Sequence, residues 1–351
     1  MIHHNYIHQF AHLLLLSGLA MCLTACGGDS SDETITDEPQ PIGFFSNSIE
    51  EIGTRALITN ENLTSQKMGV YGYKKRSDDT EHFLVFNNTE VSYTSPSWGY
   101  TPQKYWDRTR SYSFLAYMPH GSNTEFVYNS GTSKYTDQLL FKDIPQWQKI
   151  AGSETDYLVA YSTNSAEEYL TTHHSTVNLQ FSHIYAQLLI SVVKTMSAGT
   201  TEHKITGMRL VSDAADIPTT QTCTYQYDAK TAGNCGVSST RTLASSFTFL
   251  DNGSEADDVI VLAEATPLAH YLVAPFTTAN NLKLYLDYTV TEGSNITTHN
   301  DVPVAIEIKE FKSNYKYTYV LRFETGKPVT LSVVEVKQWE QVEVTDEVYN
   351  W

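Results

Sequence analysis

Basic residues are scarce. Lysine and arginine together number 23 against 40 aspartates and glutamates, a formal net charge of −17. None of them precedes Arg55, and residues 1–25 carry no charged side chain of either sign. A surface so acidic repels phosphate backbones, which excludes nucleic acid as a partner. Long apolar runs are lacking too. Leu13-Leu14-Leu15-Leu16-Ser17-Gly18-Leu19-Ala20-Met21-Cys22-Leu23 is shorter than the roughly 20 residues a helix needs to cross a bilayer. Helical periodicity is thin. No Gly-x-Ser-x-Gly elbow, His-Glu-x-x-His pair or Walker loop is present. His203 follows Glu202 with no nucleophile or carboxylate partner indicated. The pairs Asp78-Asp79 and Asp257-Asp258 lack the further spaced oxygens of a calcium loop. The expectation is a protein that is not an enzyme and uses neither cofactor nor metal.

The short apolar run fits the core of a secretory signal. Leu23-Thr24-Ala25-Cys26 resembles the lipobox of bacterial lipoproteins, where small residues admit the backbone to a peptidase and the thiol takes the lipid. His3, His4, His8, His12 and the terminal amine stand where such signals usually carry Lys or Arg. The resemblance implies a signal peptide over residues 1–25, a lipid such as palmitate on Cys26, and attachment to the outer membrane. Residues 26–40 are acidic, small and nearly free of large apolar side chains, which makes them a flexible tether. They also resemble the acidic export tag of surface lipoproteins.

Cysteines number four. Cys22 leaves with the signal and Cys26 takes lipid, so Cys223 and Cys235 remain as a pair in an oxidising compartment. A disulfide between them clips a short hairpin and contributes about 2–3 kcal/mol. A metal site is disfavoured, since no second Cys pair or His sits at ligand spacing.

What is plentiful is tyrosine, 23 in all, with many threonines, a β-rich composition. Period-two alternation recurs. Phe83-Leu84-Val85-Phe86, Asn87-Asn88 and Glu90-Val91-Ser92-Tyr93 read as a hairpin. Val177, Leu179 and Phe181 alternate, and residues 188–193 read as a buried strand. Leu284, Leu286, Tyr288 and Val290 share a face. Val302, Val304, Ile306 and Ile308 do the same, with Pro303 marking an edge. Tyr315, Tyr317, Tyr319, Leu321 and Phe323 form the longest stripe, followed by Val329, Leu331 and Val333. Many short strands indicate an all-β chain of two tandem sandwiches, over residues 41–172 and 173–351.

Several segments in order resemble the fimbrillin family of Bacteroidales. They are Ile42-Gly43-Phe44-Phe45 with Gly53-Thr54-Arg55-Ala56, and Met68-Gly69-Val70-Tyr71-Gly72-Tyr73. Then come the aromatic stretch from Trp98 to Trp106, Tyr112-Ser113-Phe114-Leu115-Ala116-Tyr117-Met118-Pro119, and Asp156-Tyr157-Leu158-Val159-Ala160. Residues 179–188, Ala269-His270-Tyr271-Leu272-Val273-Ala274-Pro275 and the Tyr-rich strand before Trp339 complete the set. The resemblance implies transthyretin-like sandwiches and a fimbrial subunit or adhesin, with other subunits and a host or bacterial surface ligand as partners, active in attachment and biofilm formation. It also implies a surface protease that cuts between Arg55 and Ala56. A first strand within residues 41–55 would then leave. Residues 341–351 of a neighbour would replace it as a donor strand, with Val342, Val344 and Val348 alternating and Asp346 interrupting their face. The rival readings are a surface lipoprotein that binds glycans without polymerising and a glycan-processing enzyme using a carboxylate pair.

Trp98, Tyr100, Tyr105, Trp106, Tyr112, Phe114 and Tyr117 are expected to pack as core and cross-strand aromatics rather than as a sugar platform. His183 is expected to be a hydrogen-bonded structural histidine, and His173-His174 to be solvated.

Overall fold

Strands dominate the described residues. The computed structural model describes residues 38–46, 58, 62–195, 201–231, 236–237, 241–251, 258–324 and 329–338. The first half holds β1 (Gly43–Ser46), β2 (Lys67–Lys75), β3 (His82–Thr94), β4 (Ser97–Gly99), β5 (Ser111–Met118), β6 (Thr124–Asn129), β7 (Lys134–Pro145), β8 (Trp147–Lys149) and β9 (Leu158–Ser165). One short helix follows, α1 (Ala166–Thr171). Ser165 caps it by accepting a hydrogen bond from the Glu168 amide at 3.1 Å. Beyond it lie β10 (Thr176–Leu179), β11 (Ser182–His183), β12 (Ala186–Lys194), β13 (Glu202–Val211), β14 (Ile217–Pro218), β15 (Thr222–Asp228), β16 (Gly236–Val237), β17 (Leu243–Ala244) and β18 (Ser246–Leu250). The last are β19 (Val259–Ile260), β20 (Thr266–Val273), β21 (Phe276–Thr277), β22 (Lys283–Glu292), β23 (Asn295–Ala305), β24 (Glu310–Phe311), β25 (Tyr315–Phe323) and β26 (Thr330–Gln338). The chain is all-β, as its alternation predicts.

An eight-stranded sheet runs β10-β1-β4-β3-β2-β5-β9-β11. One of its faces carries Met68, Val70, Phe86, Tyr112, Phe114 and Leu158, which share a core with Ile42, Phe44, Trp98, Val177 and Leu179 from the opposite end of the same sheet. The sheet therefore curls over that core. Its other face carries Tyr71, Tyr73, Leu115, Tyr117 and Val159 against Phe126, Phe141 and Tyr225 of a second sheet, β16-β15-β7-β6. A third core lies between β26-β25-β12-β20-β8 and the sheet β18-β13-β22-β23, to which β19 adds by pairing β13.

The sheets interlock across the sequence. β8 pairs β20, and β15 pairs β7. Trp147 in β8 stacks on Phe247 with centroids 4.1 Å apart and donates from Nε1 to the Pro218 carbonyl at 2.8 Å. All described residues except Glu38 belong to one compact unit, Pro39–Trp351.

The expected hairpin at residues 83–93 is corrected. Asn87 and Asn88 lie inside one continuous strand, β3, as a bulge opposite Tyr71: Val70 pairs Thr89 and Gly72 pairs Phe86. Asn88 takes a positive φ of 50°, which Asn tolerates better than most residues. Its amide accepts from the Tyr117 hydroxyl at 2.6 Å and donates to the Gly121 carbonyl at 2.9 Å. Those partners satisfy the side chain within a bulge, so no reversal is needed.

Other expectations stand. β12 is buried between β20 and β25, Leu284 and Leu286 are buried, and β23, with Pro303, is a sheet edge.

Candidate functional site

The four residues of β1 sit in a slot. The strand runs parallel to β10, Gly43 opposite Thr176 through Ser46 opposite Leu179. On its other side Phe44 pairs antiparallel with Trp98 of β4. The chain just before it is also held, because the Ile42 amide donates to the Lys104 carbonyl at 2.9 Å and the Trp106 amide to the Gln40 carbonyl at 3.0 Å. The Tyr100 hydroxyl donates to the Ile42 carbonyl at 2.8 Å. Burial pushes the pKa of that hydroxyl up to about 12, so it remains a donor across the physiological range.

Alternation sends Ile42 and Phe44 inward, both buried, and leaves Phe45 41% exposed. Burial of each inward side chain stabilises the strand by roughly 1.5–3 kcal/mol. The Phe44 ring meets Phe86, Tyr100 and Phe114 edge-on, with centroids 5.3, 5.6 and 5.8 Å away. Behind the slot, Trp106 stacks on Tyr169 of α1 at 4.8 Å and donates from Nε1 to the Ser175 carbonyl at 3.2 Å. Taking β1 away would strip hydrogen-bond partners from β4 and β10 and open an apolar hole where Ile42 and Phe44 lie.

Cys26, Arg55, Ala56, Cys235, Val342, Val344 and Val348 lie outside the described residues. Cys223 is described: it sits in β15 opposite Ile144 and is buried. Burial raises its thiol pKa, and the Arg241 guanidinium opposes that rise. Trp98, Trp106, Tyr112, Phe114 and Tyr117 are buried as packing residues, while Tyr105 is exposed. His183 is buried with Nδ1 2.8 Å from an Asp156 carboxylate oxygen. Among the described residues no cluster of three or more His, Cys, Asp or Glu could hold a metal, and no helix is long and apolar enough to cross a membrane.

Sequence reasoning missed a groove lined by Tyr71, Leu84, Phe126, Tyr128 and Tyr135. Its residues come from β2, β3, β6 and β7, and no single segment carries a pattern that would reveal it.

The architecture and the inserted strand define a β-sheet protein of stacked and curled sheets whose first described strand completes a core built by later ones. A family profile described as fimbrillin-like matches residues 54–339, and the chain belongs to that family. It is 24% identical to the fimbrium subunit Fim1C of Phocaeicola vulgatus, over 88% of this chain and 91% of that protein. The crystal structure of a fimbrial protein from Bacteroides vulgatus superposes with a TM-score of 0.56 at 20% identity, covering 86% of this chain and all of that one, 100%.

Proposed function

We propose that this protein is a structural subunit of a surface fimbrium, exported as a lipoprotein on Cys26, assembled by strand exchange, and active in attachment and biofilm formation. The observation that carries the reading is the position of β1. It lies before Arg55, is paired on both edges, and buries Ile42 and Phe44 in a core whose other members come from residue 58 onward.

In this reading a protease cuts between Arg55 and Ala56. The covalent link between β1 and the rest of the chain is then gone, and the strand is held by noncovalent contacts alone. Its departure exposes the edges of β4 and β10, which must be filled again by strand addition. Residues 341–351 of a neighbouring subunit supply the new strand, with Val342, Val344 and Val348 facing the space left by Ile42 and Phe44. Of two sandwiches, over residues 41–172 and 173–351, the first accepts, with β10 and β11 from the start of the second completing its sheet, and the second donates. Oxidation of the Cys223 thiol, free in the structure, with Cys235 would give the disulfide that fastens the second. The reading is of a non-enzymatic subunit whose partners are further copies or other fimbrial subunits.

Truncation after residue 340 tests it. The truncated protein should fold, carry lipid on Cys26, and fail to form filaments by electron microscopy of sheared surface material. Filaments of normal length from the truncated protein would refute the donor role of the tail. Sequencing the amino terminus of filament-borne protein tests the cut, with Ala56 as the expected start and Cys26 as the contrary result.

A further inference from the structure

The groove left out of the assembly reading has a built shape. It encloses about 370 Å³, within the roughly 300–1,000 Å³ of small-molecule sites. Tyr71 and Phe126 form its buried part, while Tyr128 at 48% and Leu84 at 42% exposure stand at its mouth. Tyr135 stacks on Phe126 with centroids 4.8 Å apart and planes at 17°, and Tyr128 leans against Tyr135 at 4.9 Å. Tyr135 continues the stack to Tyr73 at 5.5 Å. The rings are therefore held in place before any ligand arrives, which lowers the entropic cost of binding.

Two register shifts in β3 shape the opposite wall. Asn88 is drawn to Tyr117 and Gly121, and its exposed neighbour Asn87 lines the groove. Gly72 pairs Phe86 while Tyr73 pairs Leu84, so Val85 is extra. Phe86 and Leu84, two apart, consequently face opposite sides of the sheet. Phe86 enters the curled core and Leu84 joins the groove. Bulges re-aim side chains in this way.

We propose that this groove binds a neutral glycan, a short chain of uncharged hexoses. The aromatic rings offer apolar surface to the C–H face of a pyranose, and their hydroxyls offer polar contacts beside it. Glu125 and Asn87, both exposed in the lining, accept and donate hydrogen bonds to sugar hydroxyls. Glu125 is paired with Lys142. No lysine or arginine is among the described residues lining the groove, and with a net charge of −17 a sialylated or sulfated sugar is disfavoured. A peptide strand adding to the edge of β6 is disfavoured as well. The Tyr71 hydroxyl lies 3.1 Å from both the carbonyl and the hydroxyl oxygen of Thr124, and its bond occupies that end of the edge. Burial raises the pKa of Tyr71 and of Tyr135, which keeps both hydroxyls protonated as donors. The inference deepens the attachment part of the proposed function and rests on the chain being displayed at the surface; it is independent of how subunits join.

The test is full-length protein, extracted in detergent and applied to an array of mannosyl, galactosyl and glucosyl oligosaccharides, with sialylated and sulfated sugars and a peptide library as further arms. At least one neutral oligosaccharide should bind. Tyr128→Ala and Asn87→Ala, both at exposed positions, should each weaken that binding at least tenfold in a calorimetric titration. Phe83→Ala, exposed on β3 but outside the lining, should leave it unchanged. Filament formation by Tyr128→Ala should equal that of the unaltered protein. Silence across all neutral sugars overturns the proposal, as does full binding by Tyr128→Ala and Asn87→Ala, or capture of an anionic sugar or peptide through these residues instead. Loss of filaments in the tail truncation with glycan binding retained upholds the site whatever the fate of the assembly reading.

Discussion

Phe44 sets its ring edge-on to Phe86, centroids 5.3 Å apart and planes at 76°, although no backbone hydrogen bond joins their two strands. β4 lies between them in the sheet. The contact exists because the sheet curls, and it makes a four-residue strand a full participant in the core. Removing it should therefore be felt.

Phe44→Ala should lower the unfolding free energy of the uncut protein by about 3–5 kcal/mol, the usual cost of deleting a buried phenylalanine. The same substitution should have no effect on protein cut after Arg55, because the strand then leaves. Urea titrations of both forms check this. Equal losses in the two forms would mean that the strand does not leave.

A covalent lock should block assembly. A Cβ built on Gly43 lies 3.3 Å from the Thr176 hydroxyl oxygen, and the two residues are register partners. The pair Gly43→Cys and Thr176→Cys is close enough to bridge. Oxidised, it should hold β1 in place after cleavage and abolish filaments, with reductant restoring them. Filaments formed by the oxidised variant would show that β1 stays in the assembled subunit.

Gly69 should not tolerate a methyl group. Its Cβ would lie 2.5 Å from Cζ of Tyr117. That ring is fully buried, and its hydroxyl donates to Asn88 at 2.6 Å and accepts from the Gly121 amide at 3.1 Å, so it cannot swing aside freely. Gly69→Ala should cost about 1–3 kcal/mol, as overpacking does, and should weaken glycan binding by disturbing Tyr71, whose ring stacks on Tyr117 at 6.2 Å. Thermal melts with calorimetric titration check both effects.

Asp107 makes stability acid-sensitive. Burial opposes its ionisation, but bonds from Thr109 and Lys74 outweigh that and hold its pKa at about 2, below the ordinary 3.8. A lowered folded-state pKa means a contribution present in full above about 3.8 and lost as pH falls through about 2. Its side chain is a third exposed, 33%, so after solvent screening the contribution is about 1 kcal/mol. Asp107→Asn should be less stable than the unaltered protein at pH 6, and the difference should vanish near pH 2. A gap that persists at acid pH would assign the effect to packing.

Alternation along the chain was enough to identify several strands and the side each presents. Tyr315 to Phe323 and Leu284 with Leu286 fall where period two puts them, because a pleated backbone turns successive side chains to opposite faces whatever its neighbours are. The inward setting of Ile42 and Phe44 is legible on the same ground. What alternation cannot report is the partner. Phe44 lies beside Val177 and Trp98, and neither pairing leaves a mark in the local pattern. The Asn87-Asn88 pair carries a turn signal, yet Tyr117 and Gly121, distant in sequence, convert it into a bulge. That bulge breaks the parity of β3, since one inserted residue exchanges the faces of all that follow. The groove takes Asn87 from this bulge and Leu84 from the second shift, at Val85. Its walls come from four strands, and only the packing of two sheets brings Leu84, Asn87, Tyr128 and Tyr135 around one space.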